Sequence, residues 1–153
     1  MNNEFSTDTK IKIVTAGLGD FLKITDIQKK DGFRHAYPLT KERFRKLLQR
    51  GELFFVAFLQ NQAVGIISVD MEIRAKLHFF SVIQNYWGKG IGTALLAKIL
   101  IEAKKRDYKS VYVYVEIDSP VEKFLINKGF KKVGIYRNRY KQGRHAHILE
   151  ISL

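Results

Sequence analysis

The chain has 153 residues, 46% apolar and 27% charged, which suits one domain with its own core and excludes wholesale disorder. It contains no cysteine, so a disulfide framework, a thiolate nucleophile and a thiolate metal site are all excluded. Lys and Arg number 27 against 15 Asp and Glu, and the resulting charge of +12 favours polyanionic partners, from phosphorylated cofactors to nucleic acid.

Residues 1–10 are polar and mildly acidic, unlike a secretory signal. The longest apolar run, residues 53–59, is far short of the roughly 20 residues that a membrane span needs, so a cytoplasmic protein away from membranes is expected. Residues 10–15 alternate as a first strand, and residues 18–30 read as helical with Asp20 or Thr25 near a cap. Gly32 and Pro38 mark residues 31–39 as loop. Thr40 is placed to cap a helix over residues 41–49 that Gly51 ends.

Two strand-like runs follow, residues 52–60 and 63–71, joined as a hairpin at Asn61-Gln62. A third strand covers residues 75–82. Beyond a glycine-rich stretch, residues 94–105 read as a helix with Leu95, Leu96, Ile99 and Ala103 on its core-facing side. Residues 110–117 alternate strictly, Val111, Val113 and Val115 against Tyr112, Tyr114 and Glu116. Ser119 and Pro120 start a short helix that Gly129 follows, and residues 131–140 and 145–153 close the chain as a hairpin around Gly143. The order is mixed α/β, with antiparallel strands first and one strand–helix–strand crossover in the middle.

The segment Tyr86-Trp87-Gly88-Lys89-Gly90-Ile91-Gly92-Thr93 is the most informative. Glycines at alternate positions let a ligand approach the backbone closely, and the helix that follows offers free N–H groups and the positive end of its dipole. Such an arrangement suits a phosphate or pyrophosphate. The stretch lacks the G-x-x-x-x-G-K-[ST] of a P-loop, and a dinucleotide fingerprint counted from Gly88 would need its third glycine where Thr93 stands.

Residues 82–96, carrying this loop, resemble the acyl-CoA-binding motif of the GNAT superfamily of N-acetyltransferases. Lys128-Gly129-Phe130-Lys131-Lys132-Val133-Gly134 is similar to that superfamily's helix-to-strand ending. The resemblance spans nearly the whole chain, residues 1–153. It implies a single GNAT domain with a mixed sheet of about six to seven strands flanked by about four helices. It further implies acetyl-CoA as cofactor and a primary amine as acceptor, attacked directly without a covalent enzyme intermediate.

The matching positions imply that backbone amides of Trp87, Gly88, Lys89, Gly90, Ile91, Gly92 and Thr93 hold the pyrophosphate. Phe80, Ser81 and Val82 would border the pantetheine arm where their strand splays from residues 110–115, with Phe124 and Asp118 on the opposite side. Val82 would bond the arm and polarise the thioester carbonyl. Four positions depart from the family: Trp87 stands where Arg or Gln is usual, Asp118 where an asparagine contacts the pantetheine arm, Leu125 where a tyrosine protonates the departing thiolate, and Lys76 where a strand glutamate serves as base. Substitute candidates are His78, placed by a period of two on one face with Lys76 and Phe80, together with Tyr136, Tyr140 and Glu116. Ser119 is a further candidate for the thiolate, although capping explains it fully. Residues 24–50 would shape the acceptor side and include Phe33, Arg34, His35 and Tyr37. His145 and His147 alternate on one strand without a nearby carboxylate or cysteine, and no metal site is expected. Two rival readings remain, a CoA-binding module without efficient transfer and a basic ribosome- or nucleic-acid-associated protein acetylase. A homodimer through the terminal strands is also left open.

Overall fold

The structure, a computed structural model, describes residues 10–33 and 38–153. Seven strands form one mixed sheet in the order β1-β2-β3-β4-β5-β7-β6. They are β1 (Ile11–Thr15), β2 (Leu53–Leu59), β3 (Gln62–Asp70), β4 (Ala75–Val82), β5 (Ser110–Glu116), β6 (Lys131–Lys141) and β7 (Arg144–Ser152). Four α-helices accompany them, α1 (Phe21–Lys29), α2 (Lys41–Gln49), α3 (Ile91–Lys105) and α4 (Pro120–Asn127). Only the β4–β5 pair is parallel, the one crossover expected, and α3 makes it.

The sheet is covered on both faces. Leu95, Leu96, Ile99 and Ala103 of α3 and Leu125 of α4 pack on one face with Val111, Val113 and Val115. Ile24 and Ile27 of α1 and Phe44 and Leu47 of α2 pack on the other with Phe54, Val56 and Ile66. Gly65 is the close-approach point for α3, since a Cβ there would lie 3.0 Å from both Ile91 and Leu95. Helix caps fall where the sequence places them, with Thr40 Oγ1 accepting the Arg43 amide and Ser119 Oγ accepting the Glu122 amide, each at 3.2 Å.

Three local features depart from the sequence reading. The helix read over residues 18–30 is a 3-10 turn at Leu18–Asp20 followed by α1. The β2–β3 hairpin turns at Gln60 and Asn61 rather than one residue later, both with positive φ as a two-residue primed turn requires. Helix α3 begins at Ile91, not Ala94, so Gly92 lies within its first turn.

The departure with most consequence is in β4. Its register with β3 shifts between Ile67 and Val69, a bulge at His78 and Phe79. The bulge turns Phe79 toward the α1–α2 side and sends Phe80 into the α3–α4 side. His78 therefore does not share a face with Phe80, because a period of two fails across an extra residue. Ser68 Oγ accepts the Phe79 amide at 3.1 Å and so satisfies a donor the bulge takes out of the ladder.

Candidate functional site

Strands β4 and β5 are joined only at Ala75–Val111, Lys76–Tyr112 and Leu77–Val113. Beyond Leu77 and Val113 they part, and the β5-facing edge of β4 is left without a strand partner. A cleft of about 380 Å³ occupies the α3–α4 side of this opening. Phe80, Ser81 and Val82 form one wall, Pro120, Val121 and Phe124 the other, and Gly88, Gly90, Ile91, Gly92 and Thr93 the end.

The glycine loop has the geometry of an anion site. Gly88 and Gly90 take φ of 77° and 83°, conformations that a side chain would strain, and Gly90 is the N-cap of α3. Ala94 is the first residue to donate back, to Gly90 O at 3.0 Å, so the Ile91, Gly92 and Thr93 amides have no intrahelical acceptor. They face outward with the positive end of a fifteen-residue helix behind them. Gly92 also admits the two rings that pinch the slot, for a Cβ there would stand 3.3 Å from both Phe80 and Phe124.

Among the residues assigned to the cofactor, Phe80, Ser81, Val82, Trp87, Gly88, Gly90, Ile91, Gly92, Thr93 and Phe124 line the cleft. Lys89 and Asp118 do not line it. Asp118 sits in a left-handed turn, and its amide donates to Glu122 Oε1 at 3.3 Å. Phe33, Tyr86, Pro120 and Val121 also belong to the lining; sequence reasoning sets Phe33 on the acceptor side and misses the other three. The paired Ser119-Pro120 helix start was a usable signal, since it places the first turn of α4 beside the end of β5.

Trp87 offers no free backbone amide to the pyrophosphate, because its N–H donates to Gln84 O at 3.1 Å. Its indole Nε1 donates to Val82 O at 2.8 Å, and its ring stacks on Phe33 at 5.5 Å between centroids. The indole thus occupies a carbonyl at the cleft wall, one of the polar groups assigned to the pantetheine arm.

The candidate proton-transfer groups fall on the opposite face. His78 Nδ1 lies 2.8 Å from Glu52 Oε1 and Nε2 lies 3.3 Å from the Arg43 guanidinium. Since Arg43 only donates, Nε2 accepts and Nδ1–H donates to Glu52, which assigns a neutral imidazole held from both sides. Glu52 is buried, and its Oε2 has no hydrogen-bond partner. Sequence reasoning did not find Glu52, because its meeting with His78 depends on the bulge.

Glu116 is clamped by Arg144 at 2.7 and 2.5 Å, and the Arg144 hydrogen bonds hold its carboxyl below the usual range, which makes it a weak base. Tyr136 is 47% exposed and meets Tyr114 edge-on at 5.5 Å. Burial raises the Tyr140 hydroxyl above its ordinary value, keeping it protonated at neutral pH. Leu125, where a tyrosine donor would stand, is wholly buried in the core. His147 Nδ1 lies 2.7 Å from the buried Glu122, and His145 Nδ1 accepts the Asn138 amide at 2.9 Å, so the two histidines serve separate structural bonds. Arg34, His35 and Tyr37 lie outside the described residues.

A profile described as the acetyltransferase (GNAT) family matches residues 21–130. The chain is 32% identical over 106 residues to N-acetylaspartate synthetase of Xenopus tropicalis, covering 67% of this chain and 39% of that protein. It is 29% identical to an uncharacterized N-acetyltransferase of Methanocaldococcus jannaschii over 158 aligned positions, 92% of this chain and 66% of that protein. The chain thus spans between about two fifths and two thirds of the lengths of these relatives. Among solved structures, the PaiA N-acetyltransferase of Thermoplasma acidophilum in complex with coenzyme A superposes with a TM-score of 0.79 at 20% identity, covering 94% of this chain and 99% of that one.

Proposed function

The chain belongs to the acetyltransferase (GNAT) family, and from that premise we propose that it moves an acetyl group from acetyl-CoA to a primary amine. The single observation that carries the reading is the cleft between the parted ends of β4 and β5, closed by three unpartnered amides at the start of α3. The slot suits a narrow arm, with apolar walls and unpaired backbone groups along β4. The helix start suits the pyrophosphate. Ile91, Gly92 and Thr93 amides, with those of Gly88 to Gly90, would hold it.

The amine approaches through the opening from the α1–α2 face and attacks the thioester carbonyl directly. The backbone amide near Val82 is the proposed donor to the developing oxyanion. His78, oriented by Glu52, is the proposed acceptor of the ammonium proton, taken directly or through water once Arg43 turns aside. No tyrosine replaces Leu125 at its own position. With a free pKa of about 8.5 the thiolate leaves without full protonation, and Tyr136 or Tyr140 is the proposed proton source afterwards. Glu116, tied to Arg144, is left with a structural role. This placement of reagents on two faces of one opening needs both bound together, so initial-rate kinetics should be sequential rather than ping-pong.

A cytoplasmic location fits this reading, and no helix among the described residues is long and apolar enough to cross a membrane. β6 is an edge strand with Val133 and Ile135 each 58% exposed, the surface on which a homodimer would form.

The test is calorimetric titration with acetyl-CoA, using dephospho-CoA and NAD as comparators. Trp87 is the only tryptophan in the chain, and its emission should change as the arm displaces it from Val82 O. Saturable binding of acetyl-CoA with thiol release on adding amines is the expected result. Binding without thiol release across a broad amine panel would leave a CoA-binding module instead, and absence of binding would reduce the glycine loop to a packing device. Salt-sensitive RNA binding would favour the ribosome-associated reading.

A further inference from the structure

The α1–α2 face of the opening carries a concentration of cations that the chemistry of acetyl transfer does not itself require. Lys76 of β4 lies with Nζ 4.5 Å from the centroid of the Tyr114 ring. Arg139 of β6 lies 5.5 Å from the same ring and 5.5 Å from Tyr136. Arg43 of α2 reaches the site from the third side, 5.4 Å from the Phe79 ring and bonded to His78 Nε2. Lys76 and Tyr114 flank the last β4–β5 pair, Leu77–Val113, and so stand at the point where the strands part.

Among the described residues, none of Arg43, Lys76 and Arg139 forms an ion pair with a carboxylate. Neighbouring cations are treated differently. Arg74 is paired with Glu150, Arg144 with Glu116 and Arg50 with Glu72. Glu52, a buried carboxylate that also acts on Lys76, meets His78 through Oε1 and forms no ion pair with any of the three cations. Asp70, which also faces Lys76, accepts the Glu72 amide. Two like charges share one aromatic ring and neither is ion-paired, an arrangement that a bound anion would relieve. Partial burial first and Arg139 second pull the Lys76 ammonium below its ordinary value, against the smaller opposing pull of Asp70 and Glu52, neither of which reaches it as an ion pair.

We propose that Lys76 and Arg139, with Arg43, form the acceptor subsite for a carboxylate, so that the acceptor is a small amine that itself carries a carboxylate. This rests on the acetyltransferase reading and narrows its substrate. The carboxylate binds Lys76 and Arg139 over the Tyr114 ring, and a carboxylate that draws Arg43 off His78 frees Nε2 toward the ammonium. A net charge of +12 acts in the same direction, repelling polycationic amines and attracting anionic ones. Tyr114 and Tyr136, packed edge to face, supply aromatic surface against which a short methylene spacer between the two groups can lie.

The test uses protein first shown by calorimetry to bind acetyl-CoA, so that failure of the cofactor reading is seen separately. Thiol release is then measured with L-aspartate, L-glutamate and β-alanine, with their methyl esters, and with cadaverine and spermidine. The carboxylated amines should show KM values lower than their esters by about 10- to 100-fold, the scale of one or two charge-assisted hydrogen bonds. Lys76→Gln and Arg139→Gln should raise KM for the carboxylated amines by a similar factor while leaving acetyl-CoA affinity unchanged. Lys76→Arg should retain the preference, and Arg139→Glu should shift it toward cadaverine. With acetyl-CoA bound, equal use of acids and esters, a preference for the carboxyl-free amines, or no turnover of any carboxylated amine would each overturn the proposal.

Discussion

At the scale of single residues, the cleft depends on what is missing as much as on what is present. Gly92 sits in the first turn of α3 with an ordinary backbone conformation, so alanine is tolerated there by the chain. An alanine methyl would nevertheless stand 3.3 Å from the edges of both Phe80 and Phe124 and push them into the slot. Helix propensity favours alanine over glycine by up to about 1 kcal/mol in a helix interior, less in a first turn. Gly92→Ala should therefore leave the melting temperature level or slightly higher and weaken acetyl-CoA binding by about tenfold, the cost of a small overpacking. Differential scanning fluorimetry beside calorimetry separates the two effects. A loss of stability together with unchanged affinity would show that the slot is not where the arm lies. Leu125 illustrates the opposite case. It is wholly buried and packs α4, so its leucine is explained by the core.

At the scale of elements, the strict alternation of β5 and the apolar stripe of α3 made both legible, because burial on a sheet or helix face imposes its period directly on the sequence. The caps at Thr40 and Ser119 were legible for a similar reason, being short-range contacts between residues three apart. The β4 bulge was not. An extra residue leaves no mark on composition, and it reverses the facing of Phe80 relative to His78. The one trace is Ser68, a hydroxyl completely buried in an otherwise apolar strand. Ser68→Ala removes the acceptor of the Phe79 amide and should cost about 1–3 kcal/mol, the penalty of a buried donor left unpaired. Urea unfolding measures it, and a change under about 0.5 kcal/mol would mean that the amide finds another partner. The pair between β5 and β7 gives a pH-dependent prediction. Arg144 lowers the Glu116 carboxyl below its ordinary 4.5, so the folded state holds the ionised form more tightly than the unfolded chain does. The stabilisation is complete above that ordinary value and is lost as pH falls through the lowered one. Arg144→Gln should therefore be less stable than the parent near neutral pH, with the difference vanishing in strong acid. A difference that persists undiminished at about pH 2 would assign the effect to packing on Tyr140, which Arg144 also meets at 5.6 Å.

At the scale of the whole molecule, the sheet is a partition with one opening. Each face has its own packed helices, α3 and α4 on one side and α1 and α2 on the other. On the proposed reading the parted ends of β4 and β5 connect the faces, so that cofactor and acceptor would reach each other without either element having to move through a core. The element order and the crossover were readable in the sequence. The cations that gather on the proposed acceptor side were not, because β4, β6 and α2 bring Lys76, Arg139 and Arg43 to it from distant parts of the chain. The chain carries an excess of 12 positive charges, and acetyl-CoA, the proposed donor, is a polyanion whose approach such a field would accelerate. Steering acts on encounter and is screened beyond about 8 Å at physiological ionic strength, whereas contacts in the bound complex are screened much less. Stopped-flow tryptophan emission on mixing with acetyl-CoA should therefore show an association rate that falls severalfold or more between about 0.05 and 0.5 M salt, with a dissociation rate that changes little. NAD, with fewer charges, should show a shallower slope if it binds at all. An association rate indifferent to salt would mean that the basic surface is solvated at large and contributes nothing to capture. The opposite pattern, salt acting chiefly on dissociation, would place a lysine or arginine in lasting contact with the phosphates, and Lys89 would be the first side chain to replace.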